Sequence, residues 1–178
     1  LLILVIVTIL ISYYLGFQSK RAVFLPITIV ISGTIFSLGI MVIAGFKLSM
    51  ISIVSPPLVL TLGSSYSIHV MSAYYSLSRH SNESKEQTII KSVSGISGTV
   101  ILASFTTLIG LLSLLLATIH QTREFAIVTA LGILFTAILS ITLLPAFLSL
   151  QPAPEKKKLK NLNKDPLSRF LHHFGGRI

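Results

Sequence analysis

Five times along its 178 residues this chain runs without Asp, Glu, Lys or Arg for long enough to matter: over 1–19, 22–46, 48–78, 92–122 and 125–154. A helix needs about 20 predominantly apolar residues to cross the roughly 30 Å hydrocarbon core, and it must satisfy its own backbone hydrogen bonds there. Charged residues make up 11% of the chain, against about a quarter in ordinary soluble domains. The remaining surface cannot be hydrated, and lipid is the expected solvent. The fold expected is all-α: a polytopic membrane bundle of five transmembrane helices at about 1–17, 23–46, 54–77, 98–119 and 126–149. The third and fourth runs exceed one crossing, so each should hold an interfacial or irregular portion. Leu1 already lies within an apolar run, so the chain reads as a piece of a larger membrane protein. The run up to Phe17 lacks a basic leader and does not read as a signal peptide.

The charges cluster between the runs. Lys20 and Arg21 follow the first, Arg79, Lys85 and Lys91 lie between the third and fourth, and seven more basic residues follow Pro154. Only Lys47 and Arg123 fall on the opposite side of such a bundle. The positive-inside rule then places the N-terminal end outside and the C-terminus in the cytoplasm. Clustering at span ends also argues against a nucleic-acid groove. With no cysteine, disulfides, thiolate metal sites and cysteine nucleophiles are excluded. No catalytic acid–base pair or nucleophile constellation appears, so the chain is not read as an enzyme, and no metal or cofactor is called for.

Two connectors carry helix signals. Asn82 can cap a helix with Glu83 and Glu86 near its positive end and Ile89, Ile90, Val93 and Ile96 on one face. Residues 151–178 read as a basic cytoplasmic linker. In it, Asp165-Pro166 opens an amphipathic helix with Leu167, Phe170, Leu171 and Phe174 on one stripe.

Inside the runs the polar matter is sparse. His69 is the one titratable group well inside the spans apart from tyrosines. Pro56 and Pro57 require the third helix to begin or break nearby, because proline lacks an N–H and restricts the residue before it. From there Ser65 and His69 fall on one helical face at i, i+4, and Gly63 would allow close approach of a neighbour. Ser64 and Ser65 fit helix packing or backbone bonding as well as an ion site. His69 fits either a relay or gate, or a structural donor. Thr106, Thr107 and the other hydroxyls of the fourth run, with Gly95, Gly98 and Gly110, suit helix–helix packing. So do the pairs Gly33 with Ser37 and Gly132 with Thr136.

The stretch Gly63-Ser64-Ser65-Tyr66-Ser67-Ile68-His69 resembles the Gly-Val-Asp-Tyr-Ser-Ile-His segment in the fourth membrane helix of RND-superfamily transporters. The MMPL-like exporters, related to the sterol-sensing domain of Patched-type proteins, are the nearest branch. Ala103-Ser104-Phe105-Thr106-Thr107-Leu108-Ile109-Gly110 is similar to the fifth helix of that family. Glu124-Phe125-Ala126, Gly132-Ile133 and Leu144-Pro145-Ala146-Phe147 are similar to parts of the sixth. The resemblance implies helices two to six of a six-helix repeat, from the N-terminal half of an inner-membrane exporter of hydrophobic or amphiphilic molecules. The implied partners are the lipid bilayer, the remaining half with its extramembrane domains, the substrate, and a possible second copy; no nucleic acid is implied. The implied ion-coupling or gating seam is Ser64, Ser65 and His69, with Thr106 and Thr107 across from it; Gly63, Gly110 and Gly132 serve packing. Ser65 stands where the family carries the Asp associated with proton coupling, and a serine cannot exchange a proton near neutral pH. The acid could lie in the other half, which is preferred, His69 could replace it, or coupling could be lost or use another ion. The alternative function is a non-transporting, sterol-sensing-like lipid-binding or scaffolding module.

Overall fold

In a computed structural model, residues 2–17, 20–80 and 83–151 are described. The linker over 152–178 with its expected amphipathic helix, and the expected cap Asn82, lie outside them. Five α-helices follow one another: α1 (Leu2–Phe17), α2 (Lys20–Ile43), α3 (Ser55–His80), α4 (Lys85–Leu112) and α5 (His120–Leu150). Short 3-10 turns at Ser52–Val54 and Ser113–Leu116 connect the longer helices.

Local chemistry explains the boundaries. α2 ends in a Schellman turn: Gly45 takes φ +70°, its N–H reaches the Val42 carbonyl at 3.0 Å and the Phe46 N–H reaches Met41 at 3.0 Å. Glycine adopts that left-handed conformation without a Cβ penalty. α3 starts at Ser55, which leaves Pro56 and Pro57 in the first turn, where their missing N–H groups break no helical bond. α4 is capped by Ser84, whose hydroxyl accepts from the Gln87 N–H. It then runs unbroken to Leu112, so the connector helix and the fourth span are one element.

Hydrogen bonds set the helix directions. Ser37 of α2 meets Ser55 at the start of α3 and the Val128 carbonyl near the start of α5. Further along, Ser67 of α3 meets Ser140 of α5 at 3.0 Å. α3 and α5 therefore run parallel, and α2 runs against both. At the far end, the Lys85 Nζ bonds the carbonyls of Ser149 and Gln151, so α4 runs against α5. The beginnings of α2 and α4 and the ends of α3 and α5 thus share one end of the bundle, which gathers the basic connectors there. Around α3 the neighbours follow in the order α1, α2, α5, α4, with no contact between α1 and α4 among the described residues.

Among the described residues three helices, not five, are long and apolar enough to cross a membrane: α2 over Val23–Ile43, α4 with its 3-10 extension over Lys85–Leu116, and α5 over His120–Leu150. The expectation of five transmembrane helices is overturned at α1 and α3. The part of α1 that is described covers 16 residues, about 24 Å of helix against the roughly 30 Å core. α3 has 26 residues but is too polar. Absence of formal charge concealed this, because Thr61, Ser64, Ser65, Ser67, His69, Ser72 and Ser76 each carry a group that hydrocarbon cannot solvate. Only Ser64 and Ser67 of these are buried, on the side of α3 where Val59, Val70 and Met71 are fully buried.

The core interlocks through small residues. A Cβ on Gly33 would lie 1.8 Å from the Thr136 hydroxyl, and one on Gly132 would lie 2.7 Å from the Ser37 Cβ. The glycine of each α2 and α5 pair thus receives the hydroxyl residue of the other. Gly63 of α3 joins the same knot, since a Cβ there would lie 2.5 Å from the Thr136 methyl. Close approach of this kind maximises packing where apolar burial gains little, as in lipid.

Candidate functional site

The Gly63 to His69 segment lies mid-way along α3, and its side chains divide around the helix by their 100° steps. Ser64 is buried toward α1: its hydroxyl returns to the Thr61 carbonyl at 2.7 Å, and its own carbonyl accepts from the Tyr13 hydroxyl at 2.9 Å. Gly63 and Ser67 face α5, where Ser67 and Ser140 share a buried hydroxyl pair. Tyr66 points at α4. Its hydroxyl is buried toward Thr107 yet forms no hydrogen bond of ordinary geometry among the described residues.

Ser65 and His69 do neither. Both are exposed, on the side of α3 that α1 and α4 leave open. Thr61, Ser72 and Ser76 continue the same exposed strip at helical spacing. Thr61 returns its hydroxyl to Pro57 at 2.7 Å. Ser65, His69 and Ser72 have no partner among the described residues. The strip therefore forms the floor of a groove between α1 and α4. It lies level with Thr107 and Ser140, in the interior of two helices long and apolar enough to cross a membrane.

Thr106 and Thr107, placed opposite this segment by sequence, have different surroundings. Thr107 is half-buried beside Tyr66, whereas Thr106 is exposed; each donates its hydroxyl to the Ala103 carbonyl at 2.9 Å. Such back-bonding satisfies a hydroxyl in an apolar setting. Thr99, Ala103, Thr106 and Gly110 share an exposed strip of α4 at i, i+4, i+7 and i+11. Gly110 meets nothing within 4 Å, unlike Gly63 and Gly132, so it opens space rather than holding a contact within this chain. The assumed single seam is thus two faces: an inward hydroxyl face built on Ser64 and Ser67, and an outward one built on Ser65 and His69.

Sequence inspection missed a second polar centre. Ser37, Ser55 and Thr129 are buried where α2, α3 and α5 meet, with Thr129 donating to Ser55 at 2.8 Å and Ser37 donating to the Val128 carbonyl at 3.1 Å. The residues lie in three separate apolar runs, and only the helix register brings them together. Among the described residues, no group of three or more His, Cys, Asp or Glu could hold a metal ion. Neither a catalytic motif nor a cysteine is present.

Comparison with known proteins agrees with this architecture. Residues 1–172 match the model of the MMPL family. A membrane protein of Methanocaldococcus jannaschii is 28% identical over 164 residues, covering 90% of this chain and 41% of that protein. The chain therefore spans less than half the length of that relative.

Proposed function

The chain belongs to the MMPL family, and from that premise we propose that it is the membrane part of an exporter of hydrophobic or amphiphilic molecules driven by an ion gradient. The observation that carries the reading is the polar strip on α3. Ser65 and His69 face outward from this chain's own helices, at bilayer depth, where an unpaired polar group costs several kcal/mol, on the order of 2–7. Polar groups held at such depth are usually part of a pathway or relay. Serine cannot carry a proton here, whereas the His69 imidazole both donates and accepts hydrogen bonds. Proton or ion occupancy beside His69 would alter the attraction between α3 and whatever fills the groove, and that change would drive the helix movement.

On this reading the bundle end with Lys85 and Lys91 faces the cytoplasm, since the basic connectors gather there. Substrate handling belongs to parts outside this stretch, because the connectors at the opposite end are short. His69→Ala in the full-length protein should abolish gradient-dependent export of a fluorescent amphiphile while membrane levels stay normal. Export at the parent rate would remove His69 from the mechanism. The alternative, a lipid-sensing module, draws on Ser65 in place of an acid, and it requires that collapsing the gradient leave the protein's activity unchanged.

A further inference from the structure

We propose that Ser67 is a positioning residue for the movement of α3: its hydroxyl donates either to Tyr13 of α1 or to Ser140 of α5, and so lets α3 exchange one neighbour for the other. The proposal rests on the reading that α3 shifts within the bundle during export, and it concerns the buried side of that helix.

Three hydroxyls form a line across three helices. Tyr13 donates to the Ser64 carbonyl at 2.9 Å, and its hydroxyl also faces that of Ser67 within hydrogen-bonding reach. Ser67 pairs with Ser140 at 3.0 Å, and Ser140 donates to the Thr136 carbonyl at 2.9 Å. Tyr13, Ser67 and Ser140 are all fully buried. Tyr13 is also the one buried side chain of α1 among the described residues, so this line is where α1 enters the core.

The supply of protons makes Ser67 choose. The line has four contacts, and at each end stands a carbonyl that can only accept. A hydroxyl brings one proton, so three hydroxyls supply three. With Tyr13 and Ser140 donating to the end carbonyls, the Ser67 proton is left with two acceptors on opposite sides. It passes from one to the other by rotation about its own bonds. In either position every donor in the line is satisfied, and the contact left without a proton joins two oxygens that repel. That repulsion favours separation of α3 from α1 in one state and from α5 in the other. α3 can therefore lean either way without stranding a buried donor, the costly event where no water offers a replacement. Thr61 and Ser64 of the same helix return their protons to their own backbone, whereas Ser67 is directed across. Ser65 and Ser67, like Ser67 and His69, are two residues apart, about 200° around the helix. The joint thus sits behind the exposed face, where a pull on Ser65 or His69 bears on it directly.

Infrared spectra of the full-length protein carrying 13C-labelled tyrosine test this. The phenol carbon–oxygen stretch differs between a hydroxyl that only donates and one that also accepts. Subtracting the spectrum of Tyr13→Phe, in the parent and in each variant, isolates the Tyr13 band. Ser140→Ala removes the α5 acceptor and commits Ser67 to Tyr13, so the band should move wholly to the donor-and-acceptor position. Ser67→Ala removes the proton itself, so the band should move wholly to the donor-only position. The parent should show both components. A parent band identical to that of either variant, or shifts of both variants in the same direction, would overturn the proposal. The spectra need neither substrate nor gradient, so such a result would leave the role of His69 standing. Conversely, normal export by His69→Ala would leave both components of the Tyr13 band in place.

Discussion

Thr136 is a small residue with three neighbours that no larger side chain could share. Its hydroxyl donates back to Gly132 at 2.7 Å, while its two branches fill the hollows left by Gly33 and Gly63. Gly33→Ala or Gly132→Ala would force α2 and α5 apart, and each should destabilise the protein by about 1–3 kcal/mol, the usual range for overpacking. Gly98→Ala meets open space and should be neutral or stabilising by about 0.5–1 kcal/mol, through helix propensity. Thermal unfolding in detergent should separate the two classes; equal shifts would contradict the interlock. Both kinds of glycine look alike in the sequence, because whether a glycine receives a neighbour depends on which way its helix face points.

At the level of the helix, α3 and α4 illustrate different compromises. About half of α5 is buried, whereas α4 exposes most of its surface. Its serines and threonines bond back to their own helix, as Ser104, Thr106, Thr107 and Ser113 do. In α3, Thr61, Ser64 and Ser78 also bond back to their own helix, but Ser55 and Ser67 bond side chains of a neighbouring helix. The seam of α4 with α5 is fastened at one end by Lys85 on the last carbonyls of α5, where a cation also meets the negative end of the helix dipole. Lys85→Met should lower stability by about 1 kcal/mol and increase amide exchange in the last turn of α5. Unchanged exchange there would mean that the contact carries no load. The boundary of α3 was legible from Pro56 and Pro57, and the beginning of α4 at Lys85 was approached through capping chemistry, although Ser84 is the cap. The number of membrane-crossing helices was misread because charge alone was counted, whereas hydroxyls and imidazole also decide whether a helix suits lipid.

For the molecule as a whole, the antiparallel arrangement of α2 and α4 against α3 and α5 gathers the basic connectors at one end and leaves Lys47 and Arg123 at the other. An impermeant maleimide should label Lys47→Cys in intact cells and Glu86→Cys only after permeabilisation; the reverse pattern would invert the proposed orientation. Composition and spacing alone determined that the chain is helical, that it belongs in lipid, and that Ser65 and His69 share a face. These are consequences of local periodicity and of what hydrocarbon excludes. Only the tertiary structure decided that Ser64 and Ser67 turn inward while Ser65 and His69 line an open groove, and that Ser37, Ser55 and Thr129 meet. A helix fixes the angles between its own side chains, but where its neighbours lie is set by packing between segments far apart in the chain.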